Sequence, residues 1–399
     1  MKYIIGGVAF SGNKGASGML TALRQNISAA DKNADIAVMS YYPKSDADLA
    51  DGMQILDGSP KAVLLRFLPA LLCGIARKLH LPKIFWRHGI FKLLSETDYF
   101  LDAAGISFVD GREKFTVFNI LTILPALCCG CKVIKVSQAL GPFKHFSNRM
   151  MAKIILPRID LIIARGKQTA EYLTGLKLNN VQQFSDVAFS MQCTDEDQAA
   201  ADALLGDICR KKALIGISPS QVVFNLCRKS GKDYCSELEK TVRALAESGN
   251  MLVLFPHSAR QFSAKTHNND LPLLKNIAGR IGDSENVLVI DRELDAEVLR
   301  MLIGRMDILI ASRFHAIVSA MAVGVPAVVI GWSHKYAEVL EPFNLDNFVM
   351  PYASFESGKV IAMAEELLRN RSEISSHINQ CTADIRQDNQ RFFERFKTN

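Results

Sequence analysis

Between Asp307 and Pro342 the chain reads DILIASRFHAIVSAMAVGVPAVVIGWSHKYAEVLEP, and no other stretch constrains the fold as tightly. An apolar run, Ile308 to Ala311, stops at the polar Ser312-Arg313-Phe314-His315. Small helix-forming residues follow and end at Gly324-Val325-Pro326. A second apolar run, Ala327 to Ile330, stops at Gly331-Trp332-Ser333-His334-Lys335. Short runs this apolar read as strands buried on both faces, and the helix between them makes a parallel βαβ unit. Both polar tips then lie at strand carboxyl ends, where open α/β sheets bind ligands. Arg313, His315 and Lys335 are therefore expected to point into one cleft, an anion clamp with a proton carrier beside it.

The same alternation runs through the chain twice. Strands are expected at Lys2–Phe10, Asp35–Ser40, Tyr99–Ala103, Lys132–Ser137, Ile159–Ala164 and Gln182–Ser185, with helices at Phe115–Cys129, Ser147–Leu156 and Gln168–Thr174 between them. A polar helix over Thr194–Lys212 bridges to a second set. That set has strands at Ala213–Ser218, Met251–Phe255 and Val287–Ile290, helices at Tyr234–Glu247, Leu271–Arg280 and Leu294–Gly304, and then the opening stretch. At 399 residues the chain exceeds one ordinary core. The expected architecture is α/β: two Rossmann-like domains facing a cleft. We place them at residues 1–193 and 213–371, linked by 194–212, with a C-terminal helix over 372–399.

Composition excludes several classes. Hydrophobic residues make up 49% and charged residues 22%, as in a globular protein, and no apolar stretch has the length of a membrane span. The opening MKYIIGGVAF reads as a strand and not as a signal peptide. The net charge of +6 suits an anionic substrate or membrane surface, and no nucleic-acid signature accompanies it. Nine scattered cysteines, an odd number, suit the reducing cytosol. Cys128, Cys129 and Cys131 cluster without a CxxC pair, so they read as small buried hydrophobes and no metal site is expected.

Two further stretches stand out. Gly12, Gly15 and Gly18 surround Asn13 and Lys14 between the first strand and helix, a turn in which backbone N–H groups can approach an anion. The spacing is neither GxGxxG nor a Walker loop, and no acidic residue ends the next strand, so nicotinamide binding is disfavoured. On these residues alone, a tight packing turn and a ligand loop stand equal. Residues 58–95 hold Lys61, Arg66, Arg77, Lys78, Lys83, Arg87 and Lys92 among leucines, Phe67, Phe85, Trp86 and Phe91, without one Asp or Glu. They read as two or three helices. Such a surface either rests on an anionic leaflet or is the ordinary basic exterior of a core-packed insertion.

Singly, Arg165, Arg313, His315 and Lys335 each read as a surface ion pair or a structural residue. All four fall at predicted strand carboxyl ends, and solvated charges have no reason to follow that rule.

The chain resembles the polysaccharide pyruvyl transferase family. The resemblance rests on SRFHAIVSAMAVGVPAVVIGWSHK, SQALGPF, IDLIIARGKQTAEYL and GNKGASGML, and runs from the first strand to about Glu341. It implies a GT-B-like fold and transfer of pyruvate from phosphoenolpyruvate onto a sugar of a cell-surface glycan or its lipid-linked precursor, as a ketal. Phosphoenolpyruvate is a co-substrate, and no cofactor is implied. The resemblance places Arg165, His315 and Lys335 in catalysis, and Arg313 on the donor. The neighbouring tips and loops add Gly12, Asn13, Gly15, Ser137, Gln138, Gly141, Ser218 and His257 as substrate-binding positions, and Asp270 as a group to orient an acceptor hydroxyl. Where family members often carry Gly-Gly after the third strand, this chain has Asp102-Ala103-Ala104-Gly105.

Two other readings stand beside this one. A GT-B glycosyltransferase or nucleotide-sugar epimerase would use Glu338 or Glu341 on a ribose. A non-enzymatic scaffold would use only the 58–95 surface. The expected location is the cytoplasm, either free or peripheral at the inner membrane face.

Overall fold

The computed structural model describes residues 1–50, 52–82, 87–206, 212–260, 268–333 and 335–397. Lys83, Phe85, Trp86, Cys209, the last part of the predicted 194–212 helix and His334 lie outside the described residues. Two compact units are present. The first comprises Met1–Ser11, Met19–Ser190 and Asp388–Asn399; the second comprises Gly12–Gly18 and Met191–Gln387.

The first unit's elements run β1 (Lys2–Val8), α1 (Lys14–Ala30, whose first turn counts with the second unit), β2 (Asp35–Ser40), α2 (Pro43–Asp46), β3 (Gln54–Asp57), α3 (Pro60–Leu65), α4 (Phe67–Lys78), α5 (Ile90–Glu96), β4 (Tyr99–Asp102), α6 (Glu113–Cys129), β5 (Lys132–Gln138), α7 (Phe146–Ile155), β6 (Leu161–Arg165), α8 (Lys167–Thr174) and β7 (Val181–Phe184). All pairings are parallel, in the order β3-β2-β1-β4-β5-β6-β7. The order in which strands are added reverses between β1 and β4, so right-handed crossovers lay the helices from α3 to α8 over one face. Strands buried on both faces need near-continuous apolar sequence, and β1 supplies it.

The second unit runs α9 (Asp195–Leu205), β8 (Leu214–Ser218), α10 (Gln221–Lys229), α11 (Tyr234–Glu247), β9 (Met251–Leu254), α12 (Leu271–Ile281), β10 (Val287–Val289), α13 (Ala296–Gly304), β11 (Ile308–Ala311), α14 (Phe314–Ala322), β12 (Ala327–Gly331), α15 (Lys335–Leu340), β13 (Val349–Pro351), α16 (Ser357–Arg369) and α17 (Arg371–Phe393). Its parallel sheet has the order β10-β9-β8-β11-β12-β13, which repeats the first unit's winding. The switch point here lies between β8 and β11.

Several elements differ from the sequence expectation. Helix α9 ends at Leu205, where Gly206 takes a φ of 54°, and it packs on α13 within the second unit. Strands β3 and β13 were not expected: each is a short sheet edge without a fully buried run. Helices α10 and α16 were also not expected. The C-terminal helix is present, and its last turns belong to the first unit. There Phe392, Phe393 and Phe396 are buried, and Phe396 meets Tyr3 edge-on with ring centroids 5.6 Å apart.

Candidate active site

In the second unit, the switch point is built by two strand ends and the helices that follow them. β8 ends at Ser218, and α10 begins three residues later at Gln221. β11 ends at Ala311, and α14 begins at Phe314. Ser312 N–H donates to Ser218 O at 3.0 Å, which ties the two turns together. Two helix N-termini, each with a positive dipole end, therefore open at one place. The hydroxyls of Ser218 and Ser220 are buried there with no hydrogen-bond partner among the described residues. Buried hydroxyls are normally satisfied, so this pair marks a place where a polar ligand would supply the missing contacts.

Around this point the polar groups are held firmly. Tyr234 is buried and its hydroxyl bonds Ser312 Oγ at 3.0 Å; burial pushes its pKa above the ordinary tyrosine value. Tyr336 donates to Ser312 O at 3.3 Å. Asp270 is fully buried and acts as a hub. It accepts from Gln221 N–H at 2.8 Å, from Ser258 N–H at 3.0 Å, and from the Arg313 fork through Nε at 2.8 Å and Nη2 at 2.5 Å. Asn268 Oδ1 takes Arg313 Nη1 at 2.5 Å. The guanidinium that the sequence suggests as an anion clamp is thus engaged by Asp270 and Asn268, and it fixes the β11 tip to the loop before α12. Nothing in the sequence spacing signals this pairing, since Asp270 lies far from Arg313 along the chain.

His315 stands in the first turn of α14, half-buried. It packs against Gly15, where a Cβ would come within 2.8 Å of the His315 Cβ and closer still to the ring. Gly15 is there because only a bare backbone fits beside that imidazole. The whole Gly12–Gly18 turn counts with this unit. Asn13 forms an antiparallel bridge with Ser258, and the buried Lys14 ammonium lies 3.0 Å from Glu293 Oε1 and 3.5 Å from Asp295 Oδ1. Gly12, with φ of 83°, faces Arg260, which a Cβ would meet at 2.6 Å. Gly15 N–H donates to Asn13 Oδ1 at 3.2 Å.

His257, just after β9, is buried, and its pKa is pushed down to about 3, first by burial and then by the charges of His315 and Arg313. It is therefore a neutral imidazole near a second histidine. Lys335 opens α15 with its ammonium over three rings: 4.9 Å from the centroids of Phe314 and Trp332 and 5.3 Å from Tyr336. Such stacking orients the cation beside the start of α14.

The remaining predicted positions lie in the first unit. Arg165 ends β6, is buried, and donates to Asp186 Oδ2 at 2.8 Å. Ser137, in the left-handed region at φ of 47°, accepts from Val187 N–H at 3.0 Å and donates to Ser185 O at 3.3 Å. Gly141 has φ of 94°, and a Cβ there would lie 2.6 Å from the Tyr172 ring. Gln138 belongs to a network that sequence reasoning missed. Lys135, fully buried in β5, places Nζ 2.6 Å from Asp102 Oδ2 and 3.2 Å from Gln138 Oε1. Ser107 also bonds Gln138, and Gln138 Nε2 donates to Asp102 O at 2.7 Å. This network fixes the turn after β4, where Ala103 and Ala104 stand. Gly7 packs there too, since a Cβ on it would meet Asp102 Oδ1 at 2.7 Å. Among the described residues, Asp110, Glu113 and His145 group their ligand atoms within 4.8 Å. These are already engaged: Asp110 takes Lys144 N–H at 2.6 Å, and His145 Nδ1 lies 2.6 Å from Glu113 Oε1.

Comparison with known proteins places this geometry. The profile of the polysaccharide pyruvyl transferase family matches residues 13–334. The amylovoran biosynthesis protein AmsJ of Erwinia amylovora is 22% identical over 422 residues, covering 96% of this chain and 99% of that protein. Among solved structures, the UDP-GlcNAc 2-epimerase of Neisseria meningitidis, bound to UDP-GlcNAc, superposes with a TM-score of 0.58 at 12% identity, over 97% of this chain and 99% of its own. That of Methanocaldococcus jannaschii gives 0.54 at 11%, over 92% and 93%. At these identities the likeness shows the fold, which is GT-B-like.

Proposed function

This chain belongs to the polysaccharide pyruvyl transferase family, and from that premise we propose that it moves the pyruvyl group of phosphoenolpyruvate onto a sugar of a cell-surface polysaccharide or its lipid-linked precursor, closing a ketal. The observation that carries the reading is the switch point of the second unit. Two helix N-termini and the unpartnered hydroxyls of Ser218 and Ser220 open beside His315. The α10 end is already met by Asp270, and a compact donor with a phosphate and a carboxylate suits the α14 end together with the two hydroxyls.

The chemistry assigns the roles. A proton must reach the methylene carbon of the donor, making it a methyl and leaving C2 oxocarbenium-like. One sugar hydroxyl adds to C2 and gives up its proton. The C2–O bond to phosphate then breaks, and the second hydroxyl closes the ring with loss of its proton. The products are the ketal and inorganic phosphate. His315 is the proton carrier, a role typically worth about 10²–10⁴-fold in rate. His257, held neutral by burial, is available as an acceptor of hydrogen bonds without adding charge. The Lys335 ammonium and the helix ends meet charge on the departing phosphate. Arg313, occupied by Asp270 and Asn268, is a positioning residue for the β11 tip. Arg165, in its ion pair with Asp186, holds the end of β6.

The test is direct. Phosphoenolpyruvate should raise the thermal transition of the protein while UDP and GDP do not. Phosphate should be released when a lipid-linked or nitrophenyl sugar is supplied. Stabilisation by UDP alone, with no phosphate release from phosphoenolpyruvate, overturns the proposal in favour of nucleotide-sugar chemistry.

A further inference from the structure

Helix α4 is turned the wrong way round for a helix whose burial ends at its own unit. Its small residues Ala70, Cys73 and Ala76 are buried, and Gly74 lies against Cys128 of α6. Its large residues face outward instead. Leu64 and Leu65 of α3, Leu68 and Leu72 of α4, and Leu79 just beyond it are 64 to 67% exposed, and Ile75 is 53% exposed. Leu68, Leu72, Ile75 and Leu79 follow at intervals of four, three and four, so they form one stripe along the helix. Scattered exposed leucines need no explanation, but a contiguous apolar face marks an interaction surface.

A second stripe lies on the same helical layer. Phe146, Met150 and Ile154 are spaced four apart on α7 and are 81, 47 and 47% exposed. Both α4 and α7 contact α6. The segments that carry both stripes are basic and lack acid. Lys61, Lys78 and Lys92 are exposed around α3, α4 and α5, and Arg149 and Lys153 flank the stripe on α7. No Asp or Glu occurs between residues 58 and 95, or between 142 and 159. The nearest carboxylates to the start of α7, Asp110 and Glu113, are engaged by backbone N–H groups and by His145.

We propose that this acid-free apolar face docks on an anionic bilayer leaflet, with the leucines entering the headgroup–acyl boundary and the lysines meeting lipid phosphates. A second copy of the chain is the poorer occupant. A two-fold interface would set this basic rim against itself with only Asp110 and Glu113, at the edge of the α7 stripe, to answer it. Among the described residues no helix is long and apolar enough to cross a membrane, so the contact is peripheral. The inference holds independently of the transfer chemistry.

The test is co-sedimentation of the full chain with vesicles of phosphatidylcholine, alone or mixed with phosphatidylglycerol, at low and high salt. Binding should require phosphatidylglycerol and fall as salt rises. Leu68→Glu/Leu72→Glu, at positions already in solvent, should lower the partition about tenfold or more with an unchanged circular dichroism spectrum. Lys61→Glu/Lys78→Glu/Lys92→Glu should do the same on mixed vesicles. The proposal is overturned if the protein stays in the supernatant with mixed vesicles, or if both folded variants bind as the parent does. It is equally overturned if light scattering shows a dimer that Leu68→Glu/Leu72→Glu disperses.

Discussion

Gly15→Ala is the most pointed perturbation of the proposed site. Gly15 lies in the first turn of α1, where alanine is the better helix former by up to about 1 kcal/mol, so the substitution does not threaten the helix. The new Cβ would stand 2.8 Å from the His315 Cβ, where ordinary contact begins at 3.4 Å. Rotating the imidazole does not relieve this clash, because the offending atom is the root of the side chain. The start of α14 must retreat by about 0.6 Å, and the ring, closer still, by more than 1 Å. A misplacement of that size costs roughly 100-fold in rate, or about 2.7 kcal/mol of barrier. The assay is phosphate release from phosphoenolpyruvate with an acceptor sugar present, read as kcat/KM, alongside a melting curve. The expected result is a cooperative melt, lowered by the roughly 1–3 kcal/mol that a forced fit costs, with about a hundredth of the activity. In a His315→Ala background the same change should cost little further, since the displaced imidazole is gone and only the Cβ contact remains. Full activity in Gly15→Ala, or an equal further loss in the double variant, refutes the reasoning.

Other expectations follow from buried charges. His257 is held near pKa 3 in the folded protein and returns to about 6.5 on unfolding, so the unfolded state binds the proton first as pH falls. Stability is complete above 6.5 and declines toward 3; at pH 5 the loss is about 2 kcal/mol by urea titration, and His257→Gln should flatten that slope. Lys135→Met should cost about 3–5 kcal/mol in denaturant unfolding, because Asp102 is left buried and unpaired; replacing both partners with apolar residues should recover much of it. Arg313→Lys keeps the charge and loses the fork to Asp270. If Arg313 positions the β11 tip, kcat falls while KM for phosphoenolpyruvate holds; a raised KM with intact kcat would make it a donor clamp instead.

Much of this fold is legible in the sequence. Asp35–Ser40, Tyr234–Glu247 and Ile308–Ala311 have the expected bounds, because doubly buried strands and amphipathic helices carry strong periodic signals. Edge strands such as β3, half-exposed and four residues long, carry none. Helix α10, QVVFNLCRK, has β-branched residues in its first turn, and its identity comes from packing. At the site, strand tips are readable, and they locate His315 and Ser218. Partners remote in sequence are not, and so Asp270 under Arg313, Asp186 under Arg165 and Asp102 under Lys135 appear only in three dimensions. The Gly-rich turn is of the same kind. Its spacing left a packing turn and a ligand loop equal, and its contacts with Ser258, Glu293 and His315 assign it to the second unit.

The central claim is pyruvyl transfer from phosphoenolpyruvate through His315. The measurement that tests it most directly is incubation of the protein, and of His315→Ala, with phosphoenolpyruvate and a panel of lipid-linked and nitrophenyl sugars. Released phosphate and the ketal methyl signal by NMR are followed together. The account predicts equal amounts of phosphate and ketal with the parent protein, and about 10²–10⁴-fold less of both with a folded His315→Ala. Phosphate without ketal, or undiminished transfer by His315→Ala, would contradict it.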